Sequence, residues 1–238
     1  MNIISETVAW LTDPANWSGP NGIPVRLFEH VAISGISLVI ALAIALPIGL
    51  YIGHTGRHTT FAVNSANLWR ALPSLAVIAI VLPITSDIDP ELGFKVYPTI
   101  VAMVVLAVPP ILVNSYAGLA GVDRDMLEAA RGQGMSEPQV LRRVELPLAL
   151  PVIVTGIRSA AIQVVATATL GAIFGFGGLG RYLVNGISQN DTGQIMGGAV
   201  LVALLVIVTE LLMAGIQRVV TPRGLLLETT ARAAQASA

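Results

Sequence analysis

The chain has 238 residues, of which 54% are hydrophobic and only 11% are charged, and its mean hydropathy is +0.77. Since a soluble domain carries about 25% charged residues, this composition excludes an ordinary soluble protein and predicts an integral membrane protein. The net charge of -1 provides no basic surface for nucleic acid, and the absence of cysteine excludes disulfides, thiolate metal sites and a cysteine nucleophile. The histidines, His30, His54 and His58, fall outside the apolar segments, so we expect neither a buried metal cluster nor a histidine-based catalytic triad.

Residues 1–30 are predicted to form an N-terminal segment on the outer side of the membrane. They lack the basic leader of a cleaved signal peptide, and Asp13, Pro14, Pro20 and Pro24 interrupt any apolar stretch. A short helix lying on the membrane surface is one expectation, and a loosely ordered terminus is the other. The helix would present Ile3, Ile4, Val8, Trp10 and Leu11, with Trp10 and Trp17 at headgroup level.

Five later segments are apolar over the length of about 20 residues that a helix needs to cross a bilayer. They cover residues 31–52, 66–84, 96–119, 146–174 and 194–216. The predicted fold class is therefore all-α, a polytopic bundle of five transmembrane helices. In the alternative with six spans, residues 175–193 add a short re-entrant piece. Prolines inside several segments are expected to kink the helices, which membrane bundles tolerate.

The charges of the loops predict the orientation, because basic residues concentrate on the cytoplasmic side. With the N-terminus outside and the C-terminus inside, the cytoplasmic basic residues are Arg57, Arg124, Arg131, Arg142, Arg143, Arg218, Arg223 and Arg232, against Arg26, Lys95 and Arg181 outside. The predicted organisation is the N-terminal segment 1–30, a membrane domain over 31–217 and a cytoplasmic tail over 218–238. No soluble domain is predicted.

The longest cytoplasmic loop, residues 120–146, carries the signals of two short helices at an angle. Asp123 is placed to cap the first, and Gly134 to end it in a left-handed conformation. Ser136 and Gln139 form a capping box for the second, whose first turn contains Pro138. Four apolar side chains are expected to be available for docking to a partner: Met126, Leu127, Leu141 and Val144.

Within this loop, Glu128-Ala129-Ala130, then Gly134, then Val144-Glu145-Leu146-Pro147 reproduce the spacing E-A-A-x₃-G-x₉-I-x-L-P, with valine in place of isoleucine. This pattern resembles the coupling loop of the permease subunits of binding-protein-dependent ATP-binding-cassette importers. The resemblance implies a type I importer architecture in the cytoplasmic membrane. Further motifs resemble the osmoprotectant-uptake branch, which handles glycine betaine, choline, carnitine or proline: residues 72–76, 108–111, 156–158 and 175–180.

The resemblance also implies an assembly. Two permease subunits, identical or paralogous, would form the path, ATPase subunits would bind ATP and magnesium, and an external binding protein would deliver the solute. The permease itself would bind no cofactor or metal and carry no catalytic residue. Coupling to the ATPase would fall to Glu128, Ala129, Ala130, Arg131, Gly134, Leu146 and Pro147, with Arg131 contacting the ATPase.

Arg158 and Glu210 are the deepest ionisable groups of the predicted spans, and a charge inside a membrane is expensive unless paired. We predict that they form a structural ion pair between the fourth and fifth spans; a solute-facing Arg158 is the alternative. The other candidates for the translocation path are Ser74, Tyr116, Gln163 and Thr167, which would alternatively bond between helices. The glycine-rich run 175–180 lacks the context of a nucleotide loop and is expected to be a flexible outer turn or a plain loop.

Other classes of protein explain the sequence less well. A permease for another small solute, such as a methionine-type amino-acid permease, shares parts of the secondary motifs. An ion-coupled secondary transporter would need carboxylates at mid-membrane, and only Glu210 qualifies. A membrane hydrolase would need a nucleophile motif, and a channel a filter sequence; neither occurs in the sequence.

Overall fold

A computed structural model describes residues 2–60, 64, 68–69 and 72–221. In chain order its helices are α1 (Ile3–Thr12), α2 (Ile23–Thr55), α3 (Ser74–Ile88), α4 (Leu92–Lys95), α5 (Tyr97–Ala120), α6 (Arg124–Gly132), α7 (Glu137–Val140), α8 (Leu146–Thr167), α9 (Gly180–Gln189) and α10 (Thr192–Val220). Two 3-10 segments, Pro14–Trp17 and Ala168–Phe174, and one π-helical turn, Leu141–Glu145, also occur. Over the described ranges the chain forms only helices and turns, which confirms the all-α class.

Helix α5 is the centre of the bundle, with α2 packed on one side and α8 on the other. Small residues allow the close approach. A Cβ atom at Gly49 would lie 2.8 Å from the carbonyl oxygen of Leu112, and one at Gly156 would lie 2.6 Å from that of Pro110. Lipid tails are as apolar as the helix surfaces, so such close backbone packing, rather than the hydrophobic effect, stabilises helix pairs in a membrane.

Helix α10 packs against α8 and α9, and α1 lies along the N-terminal half of α10. The Trp10 ring meets Tyr182 edge-on at 5.0 Å and rests on Gly197, where any Cβ atom would collide with it. Burial raises the pKa of Tyr182 to about 12, so its phenol stays neutral and donates to the carbonyl of Asn21 at 2.8 Å. Of the two expectations for the N-terminus, the structure has the helix; its position on a membrane surface stays a prediction.

Four helical stretches are long and apolar enough to cross a membrane, and they coincide with four of the predicted spans: Ile23–Thr55, Leu92–Ala120, Glu137–Phe174 and Thr192–Val220. The first begins at Ile23 rather than at 31. The remaining predicted span, 66–84, lies partly outside the described residues, and α3 has 15 residues, fewer than the roughly 20 that a crossing requires. The five-span count, the six-span alternative and the orientation therefore stay predictions.

The predicted orientation determines from which side of the membrane a reagent can label an introduced thiol. Because the chain contains no cysteine, a single cysteine reports one position. We expect Arg142→Cys to react with an impermeant maleimide only from the cytoplasmic side, and Glu91→Cys only from outside. Both positions are exposed. Labelling of position 142 from outside would contradict the topology and the coupling role of the loop together.

Candidate functional site

The first helix of the long loop, α6, is bounded by two local motifs. At its start, the Asp123 side chain accepts the N–H of Asp125 at 2.9 Å. At its end, Gly134 has φ +84°, the N–H of Met135 donates to the carbonyl of Ala130 at 3.2 Å, and the N–H of Gly134 donates to the carbonyl of Arg131 at 2.9 Å. This pair of bonds is a Schellman motif, which requires a left-handed residue and therefore favours glycine.

The second helix, α7, begins at a capping box. The Gln139 side chain accepts the N–H of Ser136 at 2.8 Å, and Pro138 lies in the first turn. The chain then continues through the π-helical turn Leu141–Glu145 directly into α8. Pro147 accounts for the wider turn, because a proline has no N–H for the carbonyl four residues before it and its ring collides with that carbonyl in an α-helix. The loop is therefore continuous with a long membrane helix.

The loop presents one face outward and packs the other on the bundle. Ala130 and Val140 are buried, whereas Met126, Glu128 and Ala129 are exposed. Leu141, expected to be available for docking, instead packs against the core around Leu119, Ala149 and Ile153, so that expectation is wrong. The part of the loop open to a partner is therefore the exposed surface of α6, which we call the docking face and which includes Met126, Glu128 and Ala129.

Arg131 lies beside this face and pairs within the loop. Its Nε donates to Glu137 Oε1 at 2.8 Å and its Nη2 to Oε2 at 3.1 Å, which joins α6 to α7. The hydrogen bond lowers the pKa of Glu137 and raises that of Arg131. Because the folded-state pKa of Glu137 is depressed, the pair contributes its stability above the unfolded pKa and loses it as the pH falls through the folded value. At neutral pH the two loop helices are joined.

The structure brings Arg158 and Glu210 together, one from α8 and one from α10. The Arg158 Nε donates to Glu210 Oε2 at 2.9 Å, and its Nη2 contacts Oε1, so the pair is bidentate. Arg158 Nη1 also donates to the Gln217 side chain at 3.0 Å, whose amide nitrogen donates to the Thr155 hydroxyl at 2.8 Å. The ion pair is thus the centre of a polar cluster that joins the two helices.

A comparison of the sequence with protein-family models finds one family, described as the inner membrane component of binding-protein-dependent transport systems, over residues 45–224. The chain belongs to this family. It is therefore a permease subunit in the inner membrane, as predicted, and its relatives are transport components.

Curated proteins similar to this permease are named for osmoprotectants. The choline transport system permease protein OpuBB of Bacillus subtilis is 37% identical over 84% of this chain and 89% of its own. The glycine betaine/carnitine/choline transport system permease protein OpuCB of Bacillus subtilis is 38% identical over 83% and 88%. The osmoprotectant import permease protein OsmW of Salmonella typhimurium is 33% identical over 92% and 99%.

Among solved structures, the permease resembles a chain of the MetNI methionine ABC transporter in an inward-facing conformation. The TM-score is 0.74, the identity is 26%, and the match covers 89% of this chain and all of that chain. A second crystal form of the same transporter gives a TM-score of 0.72 at 24% identity. The fold is thus that of an ABC importer permease.

The candidates for the translocation path occupy three different places in the permease. Ser74 begins α3 and is half-buried. Tyr116 lies near the end of α5 and lines a groove with His54 and Leu127, close to the loop 120–146. Gln163 and Thr167 share one face of α8, four residues apart, and both are half-buried. The structure does not bring these candidates into one cluster, and their role stays a prediction.

The sequence reasoning missed the contacts that fix the glycine-rich run 175–180. The Glu29 carboxylate accepts the N–H of Gly178 at 2.7 Å, and His30 Nδ1 accepts that of Leu179 at 3.3 Å. His30 Nε2 lies 2.9 Å from the carbonyl of Val165, near the end of α8. His30 is fully buried within α2, so the expectation that the histidines fall outside the apolar segments is wrong for His30. The run 175–180 is hydrogen-bonded to α2 through Glu29 and His30.

Proposed function

We propose that this permease imports a small osmoprotectant, of the quaternary-ammonium and betaine class, as part of an ATP-driven assembly. Two ATPase subunits bind ATP and magnesium, a second permease completes the path, and an external binding protein delivers the solute. The observation that carries the proposal is the loop 120–146: a short helix with an exposed docking face, fixed at both ends and continuous with a membrane helix. This geometry suits a short helix that docks in a groove of a partner protein.

The solute class rests on the curated relatives. Three permeases named for choline, glycine betaine, carnitine or osmoprotectants match at 33% to 38% identity over most of both chains. The methionine transporter matches in fold at lower identity, which makes a methionine-type permease the second candidate. Cages of aromatic side chains hold quaternary ammonium groups tightly. The one aromatic pair among the described residues, Trp10 with Tyr182, packs α1 onto the bundle, so we assign high-affinity recognition to the binding protein.

Helix α8 supports a path between two permease copies. Four polar side chains recur at intervals of four residues along it: Thr155, Ser159, Gln163 and Thr167. Residues at this spacing lie on one face of a helix. The hydroxyls of Thr155 and Ser159 are exposed and donate to carbonyls one turn earlier. The stripe is exposed at Thr155 and Ser159 and half-buried at Gln163 and Thr167. A polar stripe of this kind suits a water-filled path, and we propose that Gln163 and Thr167 line it.

In this mechanism the permease performs no chemistry. Closure of the ATPase dimer on ATP moves the docked α6 helices of the two permeases together. Because each loop runs straight into α8, the displacement reaches the membrane helices and changes which side of the path is open. The free energy of ATP binding to the ATPase dimer thereby changes the side of the membrane to which the path is open.

Reconstitution tests the solute class. We expect vesicles that contain the permease, its cognate ATPase and the binding protein to accumulate at least one of choline, glycine betaine and carnitine, and unlabelled forms of that class to compete. Methionine serves as the comparison solute at equal concentration. Accumulation of methionine alone would reject the osmoprotectant assignment in favour of the second candidate.

A further inference from the structure

His54 lies in the last turn of α2. Its ring lies between the carboxylate of Glu145, in the π-helical turn, and that of Glu137, in α7. The distance from Nδ1 to Glu145 Oε2 is 2.6 Å, and the distance from Nε2 to Glu137 Oε2 is 3.5 Å. The histidine side chain is 16% exposed. A carboxylate oxygen accepts, so the ring N–H at Nδ1 donates to Glu145.

Glu145 makes this contact unusual, because its side chain is only 3% exposed. It ends the π-helical turn that precedes Leu146 and Pro147, and its carboxylate contacts His54 in the last turn of α2. Among the described residues, the hydrogen-bond partner of this carboxylate is His54. A buried carboxylate without a partner is costly, so a residue at position 145 whose only function was to fill space would be apolar.

Glu137 extends the contact into the docking helix. It accepts the bidentate bond from Arg131 of α6, while its second oxygen faces His54. We name His54, Glu145, Glu137 and Arg131 the loop network. It joins the end of α2, the helix α7 with its π-helical turn, and the helix α6 that carries the docking face. Leu146 and Pro147 belong to the family motif, whereas His54, Glu137 and Glu145 had no predicted role.

Two routes therefore lead from the docking face into the membrane. One is covalent, since residues 137–174 form one helical stretch that becomes α8. The other is the loop network, which reaches α2. A displacement that reaches the end of α2 through the loop network would move α2 together with α8. Helix α2 also packs closely on α5, at Gly49 and Gly53.

We infer that His54 is a positioning residue for energy coupling, which makes the loop, α8 and α2 move as one body when the ATPase subunits close. The inference rests on the proposed function, because it specifies how that function is transmitted. Without His54 the loop still docks through α6, but α2 no longer follows it, and ATP is hydrolysed with less solute transported.

The test is the ratio of solute taken up to ATP hydrolysed by assembled complexes of permease, ATPase and binding protein in vesicles. We expect His54→Ala to lower this ratio by at least about five-fold, the lower end of typical coupling between sites. His54→Asn, whose amide nitrogen takes the place of Nδ1 toward Glu145, is expected to recover at least half of the wild-type ratio. The matched control is His58→Asn: His58 is exposed, has φ 60°, and asparagine tolerates that backbone.

A variant without a stranded carboxylate separates coupling from stability. The double substitution His54→Met with Glu145→Leu replaces the pair by apolar side chains, so it is expected to assemble while its ratio stays low. A wild-type ratio in either His54→Ala or this double variant would overturn the inference. If the wild-type complex itself shows no ATP-driven uptake, the proposed function fails. If the wild type and the variants all show the same ratio of uptake to hydrolysis, only the inference about His54 fails.

Discussion

Replacement of Arg158 by alanine is expected to lower the yield of folded, membrane-inserted permease by about ten-fold. The substitution strands Glu210 between α8 and α10 and removes the donor to Gln217. Breaking a buried ion pair costs about 3–5 kcal/mol. Since these side chains are 32% and 34% exposed in the single chain, we expect roughly half of that cost. The measurements are the monodisperse fraction after extraction in detergent and the midpoint of thermal unfolding.

The control for this substitution is Arg218→Ala, an exposed arginine near the end of α10, the helix that carries Glu210, and it is expected to behave as wild type. Glu210→Ala should resemble Arg158→Ala, and the double variant should recover part of the loss, because no charge is left unpaired. Strictly additive losses would contradict a structural pair. Wild-type folding of Arg158→Ala with abolished uptake would instead place Arg158 on the solute path.

The second large effect is expected at Gly134. Valine at this position is expected to reduce ATP-driven uptake by about ten-fold while the permease still inserts in the membrane. Nothing lies within 4 Å of a Cβ atom there, so the cost arises from the backbone, whose φ of +84° is disfavoured for an L-residue by about 1–2 kcal/mol and more for a β-branched one. Relief of that strain breaks the Schellman motif and turns the docking face of α6 away from the ATPase.

Gly132→Val is the matched control, because Gly132 lies two residues earlier on the same exposed turn, also has open space around its Cβ position and has no positive φ. We expect it to retain most of the uptake. Pull-down of the ATPase and its hydrolysis rate complete the measurement. Equal uptake in the two valine variants would show that the left-handed turn has no part in coupling.

The helix limits within the loop 120–146 were predicted well, because the capping and turn motifs that set them involve only a few neighbouring residues. The capping box of Ser136 and Gln139 and the positive φ of Gly134 follow from hydrogen-bonding needs that a helix end always has. Arg158 and Glu210 come together as predicted from their depth, because charges in a membrane require partners. The helices extend beyond the predicted apolar segments, as the start of α2 at Ile23 shows.

Two other contacts between distant parts of the chain could not be predicted from the sequence. His54 and Glu145 are 91 positions apart, and Glu29 and Gly178 are 149 apart, with no pattern that links them. These two contacts were missed for one cause: the register between helices decides which polar groups meet, and composition and periodicity carry no information on that register. Arg131 pairs with Glu137 six residues on, and its expected contact with the ATPase stays a prediction.

The most direct test of the account is ATP-driven accumulation in vesicles that hold the permease alone, with its ATPase, or with both the ATPase and the loaded binding protein. Accumulation against a gradient is expected only in the third set, only with hydrolysable ATP on the ATPase side, and without any need for a proton or sodium gradient. Accumulation by the permease alone, or accumulation driven by an ion gradient with no ATP present, would contradict the account and establish an ion-coupled secondary transporter.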